Sequence, residues 1–193
     1  MVFLDKLQKR AIAFKRLTNY EYKIKLGRKG KITDFTIDFE TSDFFHLIGL
    51  HKLTDVLTGN MSSDKLFDRC LKGKITYNHI SKSNSFSKIT NRFEYFDKLE
   101  DMLDSNDIIF KCNTNSMKSY SRIIADFELK NIYEQLIFYI FIEKRPYSQN
   151  QFCKSFFNDN VVDYTYGQTK MTLLYKGKIN KNTGEKIIQY NKL

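Results

Sequence analysis

Apolar residues recur at spacings of three and four through the start of the chain. Phe3, Leu7, Ala11, Phe14 and Leu17 share one side of a helix over residues 2 to 17, with lysines on the other side. The period then drops to two. Tyr20 to Leu26 alternates Tyr, Tyr, Ile and Leu against Glu and Lys, and Ile32 to Phe39 resumes the alternation after Gly27-Arg28-Lys29-Gly30, which predicts a β-hairpin. Thr41-Ser42-Asp43 offers helix N-caps, so Phe44 to about Leu50 reads as helix, with Gly49 marking a close neighbour or an early end. Ser62-Ser63-Asp64 caps a short helix holding Leu66, Phe67, Cys70 and Leu71, which Gly73 closes, and residues 75 to 83 read as a further helical turn. Phe86, Ile89, Phe93, Phe96, Leu99 and Leu103 lie at helical spacing and predict one longer helix. From residue 107 the period returns to two. Strands are expected at Asp107 to Cys112, Arg122 to Leu129, Glu134 to Glu143, Lys170 to Lys176 and Lys186 to Tyr190, with Pro146 ending the most hydrophobic of them.

Helix, hairpin, helical middle section and C-terminal antiparallel sheet add up to an α+β fold. No repeat or linker divides the chain. A single domain over 1–193 is expected, with an N-terminal helix at 1–18, a core at 20–180 and a basic strand or tail at 181–193.

Composition changes the picture little until charge is considered. The chain has 193 residues, 41% of them hydrophobic, with 17 Phe, 12 Tyr and no Trp, enough to bury a core. No stretch approaches the roughly 20 apolar residues of a membrane helix. Met1 leads into a lysine-rich stretch without a secretory h-region, so cytoplasmic residence is the expectation. Cys70, Cys112 and Cys153 are widely spaced and odd in number, which suits reduced thiols. The net charge of +10 is uneven: residues 1–31 carry ten Lys/Arg against two acids and residues 170–193 carry six against one, so the middle is slightly acidic. Basic ends favour a phosphate-bearing partner through counterion release, although a solvated lysine-rich surface reads the same way.

The densest apolar run, Phe44 to Leu53, contains His46 and His51 between Asp43 and Asp55. Imidazoles titrate near neutrality and invite proton transfer, while a histidine on an apolar helix is often only a core residue bonded to backbone. On a regular helix the two lie about 140° apart and cannot share a face. Either one is structural, or the helix breaks near Gly49 and the second turns back; the spacing favours one functional imidazole, His46, and one structural one.

Other local signatures fail. The phosphate-binding and dinucleotide glycine loops, the serine-hydrolase elbow and the zincin helix are all missing. Cys70, His79, Cys112, Cys153 and the paired histidines have no zinc spacing, and Asp97, Glu100, Asp101 and Asp104 read as a solvated helix face, so neither metal nor other cofactor is called for. What remains suits RNA cleavage by 2'-hydroxyl attack, which needs a base, an acid and cations around the phosphorane. His46 and His51 serve proton transfer, with Arg92 and Lys170 beside the phosphate.

The run His46-Leu47-Ile48-Gly49-Leu50-His51-Lys52-Leu53, followed in order by Asn91-Arg92-Phe93-Glu94-Tyr95-Phe96, Ile124-Ala125-Asp126-Phe127, Ser155-Phe156-Phe157 and Asp163-Tyr164-x-x-Gly167-Gln168-x-Lys170, resembles the phage-type barnase/EndoU/colicin/RelE-like nuclease domain, type four. The resemblance spans roughly residues 20 to 180. It implies a compact domain of helices packed on an antiparallel sheet, encoded on phages and mobile elements, with metal-independent endoribonuclease activity. The matched positions it implicates are His46, His51, Arg92, Ser155, Tyr164, Gln168 and Lys170, with Ser155, Tyr164 and Gln168 as substrate contacts.

Each has a plainer reading. Arg92 can pair with an acid such as Asp126; Ser155 can cap a turn; Gly167-Gln168 suits an ordinary hairpin; Tyr164 and Tyr166 can stack an unpaired base or simply pack. Two functions follow. One is a toxin or effector RNase with RNA as partner and an antitoxin as its counterpart. The other is a non-catalytic anti-defence or anti-CRISPR protein that binds a host protein or its nucleic acid. Neither involves a membrane, and the oligomeric state is left open.

Overall fold

The computed structural model describes residues 4–57, 59–105, 108–118 and 121–193. Phe3 of the expected first helix and Asp107 of the expected third strand lie outside them. The chain forms two compact units: residues 1–18 with 40–100, and residues 19–39 with 101–193.

The first unit is helical. α1 (Lys6–Leu17) starts where the Asp5 carboxylate accepts the Leu7 N–H at 2.8 Å, and the same carboxylate accepts the Tyr77 N–H at 2.9 Å. One acid therefore caps α1 and pins α4 (Tyr77–Ile80) to it. α2 (Asp43–Leu47) and α3 (Ser63–Leu71) complete the cluster. Phe14, from the apolar side of α1, meets Phe44, Phe67 and Phe96 with ring centroids 5.6, 6.0 and 5.9 Å away. All four rings are buried, and such offset aromatic contacts add to the burial itself.

The single long helix expected from Phe86 to Leu103 is corrected by the structure. The segment is a 3₁₀ turn (Phe86–Lys88), α5 (Thr90–Glu94), a second 3₁₀ turn (Phe96–Lys98) and α6 (Leu99–Ser105). Ile89 and Tyr95 leave helical geometry at φ −122° and −101°. Spacings of three and four suit both helix types, so Ile89, Phe93, Phe96, Leu99 and Leu103 are still buried.

The second unit is a β-barrel, and this corrects the separate C-terminal sheet. β1 (Tyr20–Arg28) and β2 (Lys31–Ile37) form the expected hairpin. They join β3 (Ile109–Lys111), β4 (Phe127–Tyr133), β5 (Leu136–Lys144), β6 (Gln151–Asn158) and β7 (Thr169–Asn180) in the order β1-β2-β6-β5-β4-β3-β7, and β7 returns to β1. The ring has seven strands. β8 (Lys186–Asn191) pairs with β7 outside it. Among the described residues all pairings are antiparallel except a single parallel bridge, Ile37 to Gln151. Cross-strand partners Ile24 and Phe35, Leu129 and Ile140, and Ile140 and Phe156 carry the inward row, and Phe35 stacks on Phe127 at 4.4 Å. The strand expected from Arg122 begins only at Phe127, and α7 (Thr114–Met117) and β6 were not expected at all. Among the described residues no helix is long and apolar enough to cross a membrane.

Candidate active site

The histidine run builds its geometry from a broken helix. Asp43 opens α2 by accepting the Glu40 N–H at 2.9 Å through its own carboxylate, whereas Ser42, in the cap position, makes no side-chain cap bond. After five residues the helix stops. Gly49 takes φ +92°, a conformation costly for any residue with a Cβ, and a 3₁₀ turn at Leu50–Lys52 follows. The regular-helix premise behind the 140° separation therefore fails. The chain turns back at Gly49 and the two imidazole rings lie 4.9 Å apart between centroids, tilted by 38°.

Gly49 has a second reason to be glycine. A Cβ there would lie 2.7 Å from Ile89 Cγ2 and 2.8 Å from Arg92 Cδ. The missing side chain lets α5 close on the turn, and Arg92 donates through a guanidinium nitrogen to the His46 carbonyl at 3.4 Å. That carbonyl also accepts the Gly49 N–H. His46 is exposed, His51 and Lys52 are half-buried and Arg92 is 7% exposed.

The electrostatics follow from that crowding. Burial holds the His51 imidazole down at about 4, and His46, Arg92 and Lys52 push it the same way, opposed by its contact with the Phe45 backbone. The ring is therefore uncharged at neutral pH. Its Nδ1 is buried with no hydrogen-bond partner. Burial also lowers Lys52, with Arg92 and Lys88 adding to the effect, and brings Arg92 down to about 10. Lys52 and Lys88 are members of this basic cluster that the motif reading missed. Lys52 follows His51 directly, but only the turn at Gly49 shows where it sits.

The other candidates belong to the barrel unit. Ser155 is a mid-strand residue of β6 opposite Phe141, beside a bulge, and not a turn cap. Tyr164 packs against Tyr139, Phe157 and Phe141 at 4.9, 5.2 and 5.7 Å, so its ring is engaged, while Tyr166 is 76% exposed. Gln168 accepts the Asn113 N–H and donates to the Tyr166 carbonyl, which ties the loop at Gly167 to the start of α7. Lys170 is exposed on β7 opposite Phe110. Asp126, considered as a partner for Arg92, accepts the Lys144 N–H at 2.8 Å and starts the β4–β5 ladder.

The register places Ser155, Phe141, Glu128, Phe110 and Lys170 in one row across β6, β5, β4, β3 and β7. Glu128 is the residue that sequence patterning passed over. It is fully buried, neither carboxyl oxygen has a hydrogen-bond partner, and burial with Asp163 nearby raises it to about 8. At neutral pH it is mainly protonated. Among the described residues no three His, Cys, Asp or Glu side chains converge as a metal cage.

Residues 6–193 match the model of a family described as phage-Barnase-EndoU-ColicinE5/D-RelE like nuclease 4. No curated protein and no solved structure matches the chain.

Proposed function

The chain belongs to the phage-type barnase/EndoU/colicin/RelE-like nuclease family, type four, and from that premise we propose that it is a metal-independent endoribonuclease of a phage or mobile element. Family membership implies a nucleic-acid substrate; the choice of RNA and of 2'-hydroxyl attack is the proposal. The observation that carries it is the pairing of His46 and His51 at 4.9 Å beside the buried Arg92. His46 is exposed and in reach of solvent-borne substrate, which suits it to take the 2'-hydroxyl proton. His51, neutral and half-buried, acts through His46 and the incoming phosphate. Arg92 supplies fixed positive charge where the phosphorane gathers negative charge. On the barrel, Lys170 and Gln168 are proposed as contacts to the RNA backbone, with Ser155 and Tyr164 supporting that face.

The test is RNA cleavage in excess EDTA by the wild type, His46→Ala and His51→Ala. Fragments ending in 2',3'-cyclic phosphate are expected, with His46→Ala losing about 10²-fold or more in rate. Strict dependence on added divalent metal would sink the mechanism. A second reading, an anti-defence or anti-CRISPR protein that binds and does not cut, draws on β8, the outermost strand of the sheet, whose Ile187 and Ile188 are half exposed. Intact RNA after prolonged incubation favours that reading.

A further inference from the structure

The outer face of the barrel encloses a carboxyl that the fold leaves without a donor. Glu128 is fully buried, and neither of its oxygens has a hydrogen-bond partner. It stands on β4 between Phe141 on β5 and Phe110 on β3. The segment 159–168 and α7 roof this face: Tyr164 lies on Tyr139, Phe157 and Phe141 at 4.9, 5.2 and 5.7 Å, and Met117 joins the same cluster. Polar contacts hold the segment down. Lys130 reaches Asp163 at 3.3 Å, the Tyr139 hydroxyl donates to the Val162 carbonyl at 3.2 Å, and the Ile137 N–H donates to Asn160 Oδ1 at 2.9 Å. Lys130 is two positions from Glu128 on one strand, so both side chains leave the same face. Among the described residues the titratable groups around Glu128 are Lys130 on its own strand, Cys112 just beyond β3, Tyr139 on β5 and Asp163 from the segment, with Asp126 acting on Cys112 and Asp159 on Tyr139. Lys170 on β7 ends the row, and α7 over Thr114–Met117 brings no titratable side chain.

We infer that the segment 159–168 is a proton-gated cover, shut while Glu128 keeps its proton and opened when that proton passes to solvent. A carboxylate is not accommodated in the closed arrangement, where it would be shielded from water and without a donor. Opening gives it water. An ionised Glu128 also competes with Asp163 for Lys130, the contact that ties the segment to β4. Burial, and after it Asp163, raises the Glu128 carboxyl to about 8 against the pull of Lys130, so the gate works in the neutral to mildly alkaline range. Linkage sets the size of the effect: each opening lets the carboxyl return toward its ordinary 4.5 and releases one proton, so the open population rises about tenfold per pH unit between roughly 5 and 8 and is level above that. The gate itself depends only on the barrel unit. Its use rests on the proposed nuclease reading, because the face it uncovers carries Ser155 and the cover carries Tyr164 and Gln168, which that reading assigns to RNA.

Amide hydrogen exchange of the full chain, corrected for the chemical pH dependence of exchange, is measured across the range from mildly acidic to alkaline pH in the wild type and in Glu128→Gln. The reporters are amides bonded across the cover: Ile137 to the Asn160 side chain, Asp159 to the Ile137 carbonyl and Asn113 to the Gln168 side chain. Their protection should fall about tenfold per pH unit up to roughly pH 8 in the wild type and stay level in Glu128→Gln, while the β4–β5 ladder keeps at least about tenfold more protection. Tyr164→Ala, which takes one ring out of the roof, should lower the titration midpoint of the Glu128 carboxyl, followed by carbon NMR, by about one unit or more. Protection independent of pH in the wild type, the same slope in Glu128→Gln, reporters no better separated from global unfolding than the ladder itself, or an unmoved Glu128 midpoint in Tyr164→Ala overturns the inference. RNA cleavage measured over the same pH series separates the two readings: opening without cleavage removes the nuclease and leaves the gate, and cleavage without opening removes the gate.

Discussion

Replacing Glu128 with glutamine should stabilise the barrel unit, and should do so only at neutral and alkaline pH. Glu128 is fully buried, its oxygens have no partner, and its carboxyl is pushed from 4.5 to about 8. A group that binds its proton more tightly when folded than when unfolded is most stabilising at low pH. Stability is full below the unfolded value near 4.5, falls as pH rises toward 8, and is level above that. At pH 7 folding must keep a proton that the unfolded chain would release, which by linkage costs on the order of 3 kcal/mol, rising to about 5 kcal/mol above pH 8. Glutamine keeps the shape and removes the titration, though its amide is equally without partners.

The expected result is therefore a gain of about 2 to 3 kcal/mol for Glu128→Gln at pH 7 that shrinks to nothing near pH 4. Urea unfolding at a series of pH values, with amide exchange in β4 as the reporter of the barrel, measures the difference. The decisive quantity is its slope with pH. A constant offset between variant and wild type from pH 4 to 8 would mean that Glu128 finds a partner or water in solution, and the reasoning from burial would fail.

Gly49→Ala places a Cβ within 2.8 Å of both Ile89 and Arg92 and forces a side chain into φ +92°. It should cost about 2 kcal/mol or more in thermal unfolding and abolish the close His46–His51 ring contact seen by NMR, and a variant of wild-type stability would show that the turn is not constrained. Phe35→Ala removes one partner of the ring stack on Phe127 inside the barrel, and calorimetry should show a loss of about 3 to 5 kcal/mol; a loss under 1 kcal/mol would contradict the packing described. Burial raises the Cys70 and Cys112 thiols to about 12, so at pH 8 iodoacetamide should alkylate them roughly a thousandfold more slowly in the folded chain than in urea, read by mass spectrometry. Rapid labelling of the native protein at either position would refute their enclosure.

The elements themselves were largely legible because period two and period three-to-four come from side-chain direction, which is local. The hairpin at Tyr20 and Ile32 and the strand ending before Pro146 appear as expected. Closure of the barrel was not legible, since the pairing of β1 with β7 joins residues about 150 positions apart and leaves no local trace. β6 escaped for a different reason. The register shift between Phe141 and Ile142 inserts Lys154 between paired residues, so the buried Cys153 and Phe156 are three apart and the alternation that marks a strand changes phase within it. Glu128 shows the opposite failure. Phe127 and Leu129 point inward, so simple alternation sends Glu128 to solvent, but α7 and the segment around Tyr164 cover the outer face at Met117, Ala125, Tyr139 and Phe141. The histidine pair was half legible: Gly49 announced a break, and only the positive φ decided that His51 turns back toward His46.

Burial suppresses charge at both sites, yet with opposite consequences for the two units. His51 is lowered below its unfolded value of 6.5, so the unfolded chain binds more protons in the window between about 4 and 6.5 and the helical unit loses stability as pH falls through it. Glu128 is raised above its unfolded value, so the barrel unit loses stability as pH rises from 4.5 toward 8. Neither charge state is chosen for stability: a leucine in place of Glu128, or a phenylalanine in place of His51, would avoid the cost without losing apolar burial. Glu128 stands in one row with Ser155 and Lys170 and is roofed by side chains whose displacement would bring water to a carboxyl poised to ionise. Its cost is therefore tied to the cover remaining closed.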